Sequence, residues 1–245
     1  MVHYEKSPIV EAVCEFKLEL RRKITEEIVS EIHNQVMSDF PIRKLQKVIT
    51  EVQIGQAQEE NSPVLGEKEF HLFEGENFSV RLQQDTVSIH VLKPYPSWDK
   101  FQPKIHKIYD AVNSCAEIVG IKRIGLLYVD HIVFEENNIQ LIDYINFYPT
   151  YVPGFPEDLL NFSVGVDFSY ENGRDICSVK LFGVPPAKES PLSLMLVTDY
   201  SLVKPDEISL DSVYNWLDEA HAKSGKIFES CITDKSREMF RGEGE

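Results

Sequence analysis

No apolar run in this 245-residue chain approaches the eighteen or so residues that span a bilayer, so no transmembrane helix is expected. The first six residues, Met1 to Lys6, contain no apolar h-region, and a secretory leader is not expected either. Cysteine is scarce. Cys14, Cys115, Cys177 and Cys231 lie far apart with no C-x-x-C pair, which excludes a local disulfide framework and makes them small buried hydrophobes of a reducing compartment. The expected location is the cytoplasm. Positive charge is in deficit, with 25 Lys and Arg against 40 Asp and Glu and a net charge of −15. Nucleic acid and anionic membranes reward clustered Lys and Arg, so neither is the expected partner. The nearest approaches, Leu20 to Lys23 and Arg43 to Lys47, are short and flanked by acids, as strand and helix ends in water are. Any partner selected by overall charge is expected to be basic.

Catalytic signatures are missing as well. There is no phosphate loop, dinucleotide glycine fingerprint, Gly-x-Ser-x-Gly elbow or His-Glu-x-x-His pair, so nucleotide, serine-hydrolase and zincin chemistry lose their usual support. His71, His90, His106 and His221 share no spacing that dictates a metal site. No catalytic residue, metal or cofactor is predicted.

What is present is periodicity. At 42% hydrophobic and 27% charged, the chain is too apolar to be disordered. From Val10 to Leu20 apolar residues alternate with Glu11, Glu15, Lys17 and Glu19, the pattern of a strand with one wet face. Ile24, Ile28, Ile32 and Val36 recur at helical spacing up to Phe40-Pro41. Strands are predicted around Leu45 to Ile54, from Phe70, from Phe78 to Leu82 and from Val87 to Val91, with a loop over Gln56 to Ser62. A second helix follows Pro94-Tyr95-Pro96, with Pro103 in its first turn, and runs to about Val119. Further strands read at Ile124 to Phe134, Leu160 to Tyr170, Ile176 to Val184 and Leu192 to Val197, and Asn172-Gly173 signals a hairpin needing positive φ. Ser209 is placed as the N-cap of a last long helix, and Thr233 as the cap of a terminal helical turn.

Hairpins interrupted by single helices predict an α+β protein, with antiparallel sheet and the helices on one face. It reads as one domain, 1–245, which the order of elements divides into two pseudo-repeats, 1–94 and 95–245.

Candidate contact residues fall in three places. Tyr95 and Trp98, with Phe101, mark a strand-to-helix corner that serves either as an aromatic clamp or, more simply, as an anchor for the second helix. Tyr151 and Phe155 sit in the rigid loop Pro149 to Pro156, the expected contact surface. Asp130 and His131 interrupt an apolar strand. As successive strand residues they face opposite sides, and His90 could meet either across a sheet. Glu11 and Glu15 share a strand face and read as solvated charges.

Four stretches carry a resemblance. They are Ser7-Pro8-Ile9-Val10-Glu11-Ala12-Val13; Leu92 with Tyr95 and Trp98-Asp99-Lys100-Phe101; Arg123 to Ile132; and Phe228-Glu229 with Ile232-Thr233-Asp234 and Phe240. Together, in this order, they resemble a sporadically distributed, uncharacterised prokaryotic family of about this length. In that family the third stretch usually reads Arg-Ile-Gly-Leu-Arg-Tyr-Ile-Asn-Arg-Ile, so Leu127, Asp130 and His131 depart from it. The resemblance implies no activity. The family's patchy distribution implies mobile genes, such as phage-defence or toxin-antitoxin systems. Two functions follow as expectations: a non-catalytic module engaging a protein partner, and a small-ligand sensor or enzyme using His90, Asp130 and His131 in a pocket between sheet and helices. The composition suits a monomer or a symmetric homodimer.

Overall fold

The alternation at the start of the chain builds β1 (Ile9–Leu20), whose Ala12, Cys14, Phe16 and Leu18 are buried while Glu11, Val13 and Glu15 lie half-buried on the other face. A register shift between Ile9 and Glu11 turns Ile9, rather than Val10, toward the core. The computed structural model describes residues 4–52, 64–134, 139–149, 162–184 and 192–242. Within them α1 (Glu26–Val36) follows β1, and then come β2 (Ile42–Val52), β3 (Val64–Glu74), β4 (Phe78–Leu82) and β5 (Thr86–Leu92). After α2 (Trp98–Ala116) the chain forms β6 (Ile118–Val133), the short α3 (Leu141–Tyr144), β7 (Ser163–Tyr170), β8 (Asp175–Val184) and β9 (Ser193–Leu202). It ends in α4 (Val213–Cys231) and α5 (Asp234–Arg241). The Gln56 to Ser62 segment lies outside the described residues.

All nine described strands join one antiparallel sheet in the order β2-β3-β4-β5-β1-β6-β9-β8-β7. The protein is therefore α+β, as the order of elements predicts. Strands β1 to β5 occupy one side of the sheet and β6 to β9 the other, meeting at the β1–β6 pair. Ring contacts show where the helices lie: His33 of α1 meets Phe73, Tyr109 of α2 meets Phe16, and Trp216 of α4 meets Tyr200. By register these sheet residues share one face, so these three helices all lie on that face.

Caps and turns explain the boundaries. Thr25 caps α1 by accepting from the Ile28 amide, and Thr233 caps α5 by accepting from the Ser236 amide. The second helix starts at Trp98, five residues before Pro103, which therefore sits in the second turn rather than the first. It stops at Ala116 because Glu117 adopts φ 54°, short of Val119. Ser209 heads a 3₁₀ turn, Leu210–Ser212, that runs into α4, and so does not cap α4 itself. At the β7–β8 hairpin Asn172 (φ 56°) and Gly173 (φ 85°) take the left-handed conformations that their pair signals.

Gly75, in the β3–β4 turn, lies against the end of α1, where an added Cβ would sit 2.3 Å from the Asp39 carbonyl oxygen. Backbone cannot yield as a flexible side chain does. Gly75→Ala is expected to cost about 1–3 kcal/mol, measured as a lowered denaturation midpoint with unchanged m.

Candidate functional site

Helix α4 carries the site. Its buried residues Val213, Trp216, Leu217, Ala220, His221, Ser224, Phe228 and Cys231 form one stripe at helical spacing, laid over β6 and β9. Polar groups within that stripe are the unusual feature, because His221 and Ser224 are buried among apolar neighbours.

The predicted aromatic corner lands here. Trp98, the first residue of α2, stacks flat on His221, with ring centroids 4.3 Å apart and planes 4° apart. Its Nε1–H donates to Asp218 at 2.9 Å, so one indole clasps α2 to α4. Tyr95 and Phe101 pack edge-on, 6.4 Å between centroids, and Tyr95 packs on Tyr128 in the same manner at 6.1 Å. The corner is thus packed against the sheet and α4 rather than open as a clamp. The Tyr95 hydroxyl is enclosed and makes no hydrogen bond among the described residues.

Behind this corner lies a small pocket of about 30 Å³, lined among others by Ser7, Tyr128, Asp130, Thr198 and Ser224. The cavity follows from spacing. Tyr128 and Asp130 are two apart on β6 and share its helix-facing side, Thr198 pairs with Tyr128 across β6–β9, and Ser224 lies one turn beyond His221. Asp130 Oδ1, Thr198 Oγ1 and Ser224 Oγ are buried without a hydrogen-bond partner among the described residues. Space of this size accommodates one or two water-sized occupants.

Burial alone pushes the Asp130 carboxyl up to about 8, so at neutral pH its acid form predominates. Burial likewise lowers His221 to about 4 and holds Tyr128 well above the usual phenol range. The uncharged imidazole Nδ1 lies 2.8 Å from the Tyr128 hydroxyl. The sign of the His221 effect is definite. The unfolded chain takes up a proton near pH 6.5 and the folded one only near pH 4, so stability is full above 6.5 and lost as pH falls toward 4. The loss is expected to total about 3 kcal/mol, and His221→Gln should flatten that limb in denaturation midpoints taken from pH 7 to pH 4.

His90 and His131 do not join Asp130. On β5 His90 pairs with Val13 of β1 and sits, buried, on the face away from α1, α2 and α4, where Nδ1 lies 2.9 Å from Glu11 and Nε2 lies 2.9 Å from the Ser88 hydroxyl. Two causes separate it from Asp130: β1 lies between their strands, and they occupy opposite faces. His131 also lies on the face opposite Asp130, across from Met195, as period two requires, and its Nε2 is buried. Tyr151 and Phe155 lie outside the described residues. Glu11 and Glu15 share the face of His90, half-buried, and are paired rather than merely solvated. Arg123 donates to Glu15 at 3.0 Å, to Asp199 at 3.0 and 3.2 Å and to Ser201 at 2.6 Å. Gly125 makes room for this guanidinium, since a Cβ there would sit 2.7 Å from Nη1.

A second, open groove of about 480 Å³ lies on another side of α4. Phe147, Phe168, Tyr170 and Ile227 give it apolar walls, and Lys223 and Lys226 stand at α4. Among the described residues no group of three or more His, Cys, Asp or Glu is gathered for a metal ion, and no helix is long and apolar enough to cross a membrane.

Thr198 and Ser224 escape sequence reasoning because isolated hydroxyls carry no spacing signal. Ser7, Pro8, Ile9, Tyr128, Asp130 and Phe228 line the pocket, and Tyr95 packs on Tyr128. No protein-family model matches the chain, and no curated protein matches it.

Proposed function

We propose that the protein is a non-catalytic interaction module that receives an extended segment of a partner protein along β7. The observation that carries this reading is the contrast between the two edges of the sheet. The β2 edge bears Arg43, Lys44 and Lys47, the charged side chains that discourage strand pairing. The β7 edge, Ser163 to Tyr170, carries one charge, Asp167, and exposes Val166 and Phe168 at 40% and 43%. Among the described residues β7 has β8 alone as a neighbour.

A tenth strand added there would gain main-chain hydrogen bonds, and every second side chain would fall toward Phe168 and the groove beside α4. Lys226 is exposed and forms no ion pair among the described residues, while Lys223 already holds Glu171 at 2.6 Å. Despite the net charge of −15, this groove therefore favours an acidic group on the partner. Apolar residues at alternate positions with one acidic side chain describe the segment. The sporadic family that the chain resembles adds context, an accessory of a mobile defence or toxin-antitoxin-like system, and no chemistry. The rival metabolite pocket has weaker support, because His90 and His131 lie on the opposite sheet face from Asp130 and the small pocket beside Asp130 is water-sized.

Selection from a random displayed-peptide library tests the reading. Enrichment of alternating apolar peptides with an acidic position is expected, and Phe168→Ala should weaken them roughly tenfold or more. Binding that survives both Phe168→Ala and Val166→Lys would reject β7 as the surface. A dimer of the unliganded protein that Val166→Lys dissociates would instead assign the edge to a second copy of the chain.

A further inference from the structure

Helices α2 and α4 carry the same row of residues. In α2 Lys107, Ala111, Ser114 and Cys115 lie together at helical spacing, and in α4 Lys223, Ile227, Ser230 and Cys231 repeat that spacing with three of the four residues identical. The topology repeats around them. β1 is followed by α1, by strands that return as β5 to lie beside it, and by α2; β6 is followed by α3, by strands that return as β9 to lie beside it, and by α4. The orders β1-β5-β4-β3-β2 and β6-β9-β8-β7 run outward from the central pair in the same way, which makes α2 equivalent to α4 and β3 equivalent to β7.

The row on α2 seats α1. Gln35 donates to the Ser114 hydroxyl at 3.0 Å and to Cys115 Sγ at 3.1 Å, and Lys107 donates to Ser38 and Asp39, both at 2.8 Å, where α1 ends. Below it, the His33 ring lies 4.9 Å from Phe73 of β3. The row on α4 lines the open groove instead, together with Phe168 and Tyr170 of β7. Between β6 and β7 the described chain supplies only α3, four residues long, and no described strand flanks β7 as β2 flanks β3. The second unit therefore has the seat for α1 and the edge for β2, and among the described residues neither element.

We propose that the α4 row seats an amphipathic helix of a partner protein, and that this helix leads into the strand added at β7, as α1 leads into β2. The chemistry of the helix follows from α1. It carries apolar residues in the pattern of Ile28, Val29, Ile32 and Val36, an amide where Gln35 stands, and an acid just past its end where Asp39 stands. Lys226, exposed and without an ion pair among the described residues, offers that acid a cation beside Lys223, which Glu171 already engages. The strand half of this assignment rests on the β7 reading, and the helix half stands on the repeated row.

The probe is a peptide of this chain's own residues 24–41, stapled between positions 30 and 34, off its buried row; in the intact protein the seat on α2 is already filled by α1. Saturable binding to the full chain is expected in fluorescence anisotropy, with chemical-shift changes at the amides of Lys226, Ile227 and Ser230. Ile227→Glu should weaken binding about tenfold or more. Lys226→Glu should weaken it severalfold, and Asp39→Lys in the peptide should restore it. Because the peptide ends before β2, its binding reports the helix seat whatever happens at β7. Lengthening it to residue 52 should tighten binding, and no gain would overturn the strand half alone. Failure of the folded wild type to bind the short peptide, or binding that Ile227→Glu leaves intact, would overturn the seat. Should Ile227→Glu fail to fold, the charge exchange decides, and absence of rescue overturns it. A dimer of the free chain that Lys226→Glu dissociates would instead assign the row to a second copy and overturn the partner.

Discussion

Asp175→Ala is expected to remove about 3–5 kcal/mol, a large share of what holds a domain of this kind together. Asp175 opens β8 and is fully buried. Its carboxylate accepts from Arg174 at 2.7 and 3.1 Å, from the Tyr200 hydroxyl at 3.0 Å and from Trp216 Nε1 at 3.0 Å. The alanine variant leaves a mostly buried guanidinium and two buried donors without their acceptor, and that unmet demand is the origin of the loss. Burial pushes the carboxyl upward, yet the hydrogen bonds from Arg174, Trp216 and Tyr200 outweigh it and hold the group below its ordinary 3.8. The stabilisation is therefore complete above pH 3.8 and disappears as pH falls through the depressed value. Urea midpoints at pH 7 and pH 3 provide the check. A loss below 1 kcal/mol at pH 7, or one unchanged at pH 3, would show that the cluster is not held by this charge.

Phe101→Ala is the second large effect, expected at about 3–5 kcal/mol. The ring is fully buried between Phe78 at 6.3 Å, Trp98 at 6.1 Å and Tyr95 at 6.4 Å, so its removal leaves a cavity that three stiff aromatics cannot close. Trp98→Ala should cost less, about 1–3 kcal/mol, because that indole is only partly buried. It has a distinct signature, since stripping the ring from His221 readmits water and should raise the imidazole pKa from about 4, readable by NMR titration. An unaltered titration would mean that the sheet, and not Trp98, shields His221.

Much of the architecture can be read from the chain because period two and period 3.6 are local properties. The face of β1 is visible in Ala12, Cys14, Phe16 and Leu18, and the opposed directions of Asp130 and His131 follow from adjacency alone. The hairpin at Asn172-Gly173 is legible because few residues tolerate its φ values. Pro103 misleads about α2, since a proline that suits a first turn can also be carried in the second once Trp98 and Phe101 are anchored ahead of it. The candidate site is hidden for a different reason. His221 and Ser224 lie some ninety residues from Tyr128 and Asp130, and only the laying of α4 across β6 and β9 unites them. His90 looks like a companion of Asp130 until the strand order inserts β1 between their strands.

The strand order also sets a schedule for synthesis. The first of the described strands to be made, β1, belongs in the middle of the sheet, and its neighbours β5 and β6 begin only at Thr86 and Ile118. At about 5–20 residues per second, β1 waits roughly 5–20 s after it is made before both partners exist. Through that interval Cys14, Phe16 and Leu18 stand without their cover. Because the three pairings that close the middle of the sheet, β1–β5, β1–β6 and β6–β9, join strands distant in sequence, folding is expected to be slow, and the nascent chain is most prone to aggregation while β1 is still alone.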